Sequence, residues 1–161
     1  MTQQTHDLKS DLAIEALQLS GLLRLRVRGH SMLPSLWPGD FVTIQAQPFD
    51  SIHLGDIILY LRNSRFVVHR VRYKAETVIV VGDCLRMPDP PLAASEVLGR
   101  VISVRRYGAE LPAPHLTVFR RVWSYLLRRC EFLQRVALWI HAKNVRRSEG
   151  LADIRPEFSI P

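Results

Sequence analysis

Residues 28–42 read "RGHSMLPSLWPGDFV", and the interpretation of this stretch decides how the whole chain is read. Ser31 stands two residues after Gly29, Met32 and Pro34 follow it, and Gly39-Asp40 closes the run five residues beyond Pro34. A serine hydroxyl is a weak nucleophile at neutral pH and needs a base within hydrogen-bond reach. The neighbours suit a nucleophile. Gly29 lets a substrate backbone approach, and Pro34 with Pro38 stiffens the loop so that N–H groups can be held toward an oxyanion. They equally suit a plain turn between two strands. The reading therefore rests on what the rest of the chain brings to Ser31.

On the N-terminal side, "LLRLRVRG" alternates apolar and basic residues with period two, the pattern of a half-exposed strand. On the C-terminal side follow "FVTIQA", "GDIILYLR", "RFVVHRVRYK", "ETVIVVGD" and "VLGRVISVRRYG", with a hairpin turn at Asn63 and Ser64 and a proline-rich loop, "RMPDPPLAAS", before the last. Six short strands without intervening helices predict a mostly β fold: a coiled antiparallel sheet or partly open barrel. Residues 7–22 place Leu8, Leu12, Ala16 and Leu19 at helical spacing, with Ile14 and Leu17 off that stripe and Gly21 as the stop. From His115 to Arg147 the chain contains no glycine or proline, which predicts one long or two shorter helices. The expected organisation is an N-terminal helix over 1–22, a β domain over 23–108, a linker with basic amphipathic helices over 109–147, and a flexible tail over 148–161.

A chain of 161 residues can bury one substantial core, and its 47% hydrophobic and 23% charged residues are ordinary globular values. Cys84 and Cys130 lack metal-ligand spacing and are read as free thiols; no metal or organic cofactor is implied. Charge is distributed unevenly. Residues 116–147 carry eight basic residues against Glu131 alone, which accounts for the formal net charge of +7, while the remainder carries fourteen of each sign. The first twenty residues lack the pattern of a secretory signal, and no stretch approaches the roughly 20 apolar residues of a spanning helix. The expected location is cytoplasmic, with peripheral membrane contact or self-association open to the basic segment and nucleic acid the least favoured partner.

Gly-Asp recurs at 39–40, 55–56 and 82–83, and "VVHRV" sets His69 inside an otherwise apolar strand. Taken in order, "GHSMLPSLWPGDFV", "GDIILY", "VVHRV" and "VGDCLRMPD" resemble the serine-peptidase superfamily that includes signal peptidase I and the self-cleaving proteins of SOS-repressor type. The resemblance covers roughly residues 25–104. It implies that Ser31 is the nucleophile and that His69 holds the base position where ordinary bacterial signal peptidases carry a lysine, as in the archaeal and endoplasmic-reticulum type. Asp83 and Asp89 match the acidic pair of that type. The lysines Lys9, Lys74 and Lys143 fall outside the base position, so a Ser-His mechanism is favoured over Ser-Lys.

The chemistry stands beside the resemblance. A histidine, with an ordinary pKa of about 6.5, can accept the serine proton near neutral pH, and Asp83 or Asp89 could hold its tautomer. The structural alternative packs His69 in the sheet, lets Asp83 cap a turn and leaves Asp89 solvated. Signal peptidases carry a second serine two residues before the nucleophile; here that position is Gly29, so backbone N–H groups, including that of Ser31, must serve any oxyanion. They also normally carry an N-terminal membrane anchor, which this chain is not expected to have. Gly29, Met32 and Pro34 are the expected substrate contacts; the apolar run Met32, Leu33, Leu36 and Trp37 could equally be core, and it is the resemblance that favours a rim on the substrate side. The leading expectation is an endopeptidase that cleaves a leader or signal-like peptide. The alternatives are a non-catalytic peptide-binding module on the same fold and, least favoured, a self-cleaving regulator, since one helix before Ser31 is too little for a helix-turn-helix.

Overall fold

The six expected strand segments form one antiparallel sheet in the computed structural model, which describes residues 2–63 and 65–152. They are β1 (Leu22–Arg26), β2 (Phe41–Gln45), β3 (Ile57–Arg62), β4 (Arg65–Lys74), β5 (Thr77–Val81) and, after a short strand, β7 (Val97–Arg106). Two strands lie outside the expectation: β6 (Leu92–Ala93), within the proline-rich loop, and β8 (Ala109–Pro112). The order is β1-β2-β7-β3-β4-β5-β6, with β8 also paired to β7. β7 runs beside β2 on one edge, while β3 occupies the start of its other edge and β8 the end. The sheet coils without closing. Because β8 belongs to it, the β domain extends past the expected boundary at 108.

Coiling buries both faces of the central strands, which is why "IILY" in β3 is apolar throughout rather than alternating. One face packs Ile57 and Leu59 with Val42, Ile44, Val101 and Val104. The other packs Ile58 and Tyr60 with Ile52, Val71, Val78, Val80 and Leu92.

Helix α1 (Thr2–Ser20) ends at Gly21, whose φ of +71° suits glycine. It packs against β1 and β4, but through a different face from the one expected. Leu12 and Leu19 point outward, and Leu17 is buried with Ser10, Ala13 and Ile14 turned inward beside it. Both stripes have helical spacing; the buried one carries small residues that let the helix lie close to the strands.

The basic segment is two helices, α2 (Val118–Arg129) and α3 (Glu131–Ala152), divided at Cys130. α3 thus passes the expected limit at 147, and the rest of the expected tail, residues 153–161, lies outside the described residues. Leu127 of α2 packs on Leu33 and Cys84, with Ala137 and Leu138 of α3 alongside. His141 fastens α3 to the serine loop: it stacks on Trp37 at 4.7 Å, its Nε2–H donates to the Pro38 carbonyl at 3.0 Å, and its Nδ1 lies 2.7 Å from the Tyr107 hydroxyl.

Candidate active site

The β3–β4 hairpin sets the first part of the site. Its two-residue turn pairs Arg62 with Arg65, and the register then runs back to place Ile58 opposite His69. Tyr60 falls diagonally across from His69 on the same face, within reach of a long side chain. His69 and Arg70 are neighbours on β4 and therefore point to opposite faces. Each takes its own carboxylate.

Ser31 begins the tight turn after β1, closed by the Ser35 and Leu36 N–H groups donating to the Met32 carbonyl. The loop after β5 holds this turn in place: the Cys84 N–H donates to the Ser31 carbonyl at 2.8 Å. Gly82 makes that approach possible, since a Cβ there would stand 2.7 Å from the same carbonyl oxygen.

These elements bring Ser31, His69 and Asp89 into one line. Ser31 Oγ lies 3.0 Å from His69 Nε2, and His69 Nδ1 lies 2.5 Å from Asp89 Oδ2. With the Nδ1–H donating to the carboxylate, Nε2 is left as the acceptor that faces the serine hydroxyl. Asp89 is fixed from two further sides: the Tyr60 hydroxyl donates to Oδ2 at 2.7 Å, and the Asp89 N–H donates to the Val80 carbonyl at 3.0 Å. Burial, reinforced by Asp89, pushes the Tyr60 phenol well above its ordinary range, so it remains a protonated donor. The histidine is 5% exposed, while Ser31 and Asp89 on either side of it are only partly covered.

Asp83 is placed elsewhere. It is buried against Arg70, whose Nε and Nη2 donate to its two oxygens at 2.9 and 2.8 Å, and Ser35 Oγ donates to Oδ2 at 2.5 Å. Arg70 completes its bonding through Nη1 to the Gly55 and Pro114 carbonyls at 2.8 and 3.0 Å. This bidentate pair ties β4, the serine turn, the loop after β5 and the approach to α2 together. The expectation of Asp83 as a partner of His69 is corrected on that ground: its lone pairs are committed to a guanidinium and a hydroxyl on the opposite side of β4.

The other two Gly-Asp pairs are turn devices. Gly39 and Gly55 have φ of +97° and +90°, and the following aspartate accepts an N–H three residues back, Trp37 to Asp40 and His53 to Asp56, both at 2.8 Å. The expected substrate contacts fare unevenly. Met32 is 3% exposed and packs with Leu17, Leu36 and Val42, and Leu33 and Leu36 are fully buried, so three residues of the expected apolar rim are core, while Trp37 is partly covered beside them. Pro34 is half-buried, and its carbonyl accepts the Trp37 indole N–H at 2.9 Å. Gly29 is exposed, with open space where a side chain would stand. Cys84 and Cys130 are free; burial pushes the Cys84 thiol up, which keeps it a poor nucleophile. Among the described residues, no three His, Cys, Asp or Glu side chains converge to hold a metal ion.

Sequence reasoning missed Tyr60, Arg70 and Ser35. Tyr60 was within its reach, because a two-residue turn at 63–64 already sets the hairpin register that aligns it with His69.

A coiled antiparallel sheet with a serine on the turn after its first strand and a histidine on a central hairpin is a serine-peptidase-type fold. The chain belongs to the Peptidase S24-like family, whose sequence model matches residues 2–102. No curated protein matches it. The match includes α1 and most of the sheet and stops short of β8, α2 and α3.

Proposed function

We propose that the protein is a serine endopeptidase that cleaves an extended leader or signal-like peptide, with Ser31 as nucleophile, His69 as general base and Asp89 orienting the histidine. The observation that carries this reading is the unbroken line Ser31 Oγ–His69 Nε2 and His69 Nδ1–Asp89 Oδ2, at 3.0 and 2.5 Å. Ser31 Oγ attacks the scissile carbonyl carbon while its proton passes to His69 Nε2, and the carbonyl π pair moves to the oxygen. Backbone N–H groups of the serine turn, with that of Ser31 among them, meet the oxyanion. When the tetrahedral adduct collapses, the C–N bond breaks and the leaving amine takes the proton from Nε2. Water, deprotonated by His69, then attacks the acyl ester, and Ser31 recovers its proton as the new carboxyl product leaves. Asp89 holds the Nδ1–H tautomer and offsets the imidazolium charge, while Tyr60 keeps the carboxylate from rotating.

The test supplies a leader-peptide library to the parent protein, Ser31→Ala and His69→Ala, and reads new termini by mass spectrometry. New termini from the parent alone support the proposal. Cleavage that persists in either variant, or peptide capture without cleavage by a folded parent, overturns it; the second result identifies a binding module.

A further inference from the structure

α2 is docked through its polar face. Arg120 Nη1 donates to the His115 carbonyl at 3.2 Å, Arg128 Nη1 donates to the Leu85 carbonyl at 3.1 Å, and Ser124 and Leu127 are buried between them. The opposite face carries Val118, Phe119, Val122 and Leu126, at 77%, 71%, 52% and 41% exposure. α3 packs Ala137, Leu138 and His141 on the domain and likewise leaves large apolar side chains, Phe132, Trp139 and Ile140, facing outward. An ordinary surface helix buries its apolar stripe, and α2 turns most of its own outward. The outward aromatic and aliphatic side chains are accompanied by the exposed cations Arg121, Arg129, Arg135 and Lys143, with Lys143 Nζ lying 3.9 Å from the Trp139 ring centroid.

That composition selects the occupant. A second copy would bring another basic segment against the first, and like charges oppose that contact. A nucleic acid would satisfy the cations and leave the Phe, Trp and Leu side chains in water. An anionic lipid surface satisfies both, the apolar groups entering the acyl boundary and the cations meeting headgroup phosphates. No helix of the described residues is long and apolar enough to cross a membrane, and the two-faced pattern of α2 is that of a helix lying in the interface plane.

We propose that the outward faces of α2 and α3 dock the protein on an anionic lipid surface. Because Arg128 is bonded to the loop that holds the serine turn, and Ser124 Oγ lies 3.5 Å from the Leu33 carbonyl, docking fixes the candidate site close to that surface. Lipid binding is independent of the catalytic reading and is measured without a substrate.

The experiment is co-sedimentation of the full chain with phosphatidylcholine vesicles, with and without phosphatidylglycerol. The parent, an Arg121→Gln/Arg129→Gln variant and a Phe119→Ser/Phe132→Ser variant are compared, each checked for folding by circular dichroism. The parent should bind the anionic vesicles, and its tryptophan emission, to which the exposed Trp139 and Trp123 contribute, should shift to the blue. Binding should fall by about fivefold for each cation removed and by more than tenfold for the phenylalanine pair. Failure to bind anionic vesicles, equal binding to both vesicle types, or retention of full affinity by the folded phenylalanine variant overturns the proposal. A dimer in sedimentation equilibrium that blocks vesicle binding overturns it in favour of a second copy.

Discussion

Asp83 and Asp89 lie six residues apart on one loop, and in sequence either could serve His69. Asp83 is wholly buried in a bidentate pair with Arg70, where a carboxylate and a guanidinium satisfy each other out of water. Asp89 remains about one quarter exposed and is shared between an imidazole and a phenol. Removing one partner of a buried pair strands the other charge, so the first carboxylate is a matter of folding. The second sits where proton transfer can use it, in a line that ends on a serine hydroxyl. The contrast arises from strand geometry: neighbouring residues of β4 face opposite ways, and each cation-capable side chain collects the nearer acid.

Replacing each aspartate in turn separates the two roles. Asp89→Asn carries the largest expected effect, a fall in kcat on the order of 10⁴-fold from loss of the correct tautomer, with unfolding free energy held within about 1 kcal/mol. Single-turnover cleavage beside urea denaturation measures both, and a variant that lost stability in place of rate would reverse the assignment. Asp83→Asn should do the opposite, lowering the unfolding free energy by about 3–5 kcal/mol because Arg70 is left charged and buried. Combining it with Arg70→Met should recover part of that loss; an equal or greater loss in the double variant would mean the pair is not what holds the loop.

Gly82→Ala probes the contact between the two regions. The added methyl meets the Ser31 carbonyl oxygen and the Leu85 side chain, an overpacking expected to cost about 1–3 kcal/mol and to move the serine away from His69. A melting temperature and a cleavage rate both equal to those of the parent would refute that close approach. Tyr60→Phe should have the smallest effect, lowering kcat about tenfold by removing one charge-assisted hydrogen bond to Asp89. KM should hold, since Tyr60 acts through Asp89 and does not touch substrate. A rise in KM at unchanged kcat would move Tyr60 from positioning to substrate binding.

Much of the sheet was legible because β1 alternates with period two and the later strands are short apolar runs bounded by turn residues, and the turn at Asn63 also sets the register that aligns Tyr60 with His69. β6 was not, since two residues carry no period. β8 left one signal, the two-residue turn at Tyr107-Gly108, where both φ angles are positive, +51° and +83°. The face of α1 differs from the expected one because leucines mark two helical stripes, and only packing shows that the stripe bearing Ser10 and Ala13 lies against the sheet. Met32 falls on an expected substrate rim because it neighbours Ser31. A tight turn, however, sends consecutive side chains in different directions, and Met32 points into the core while Ser31 points toward His69. The two carboxylates could be told apart only by weighing Arg70 against His69 as a competing partner.

Whether Ser31 is a nucleophile activated by His69 is tested most simply by reacting the folded protein with a fluorophosphonate probe, followed by intact mass and peptide mapping. A single adduct on Ser31 is expected, abolished by His69→Ala and strongly slowed by Asp89→Asn. A folded parent that takes no adduct, or labelling of Ser31 that proceeds equally without His69, would contradict that role.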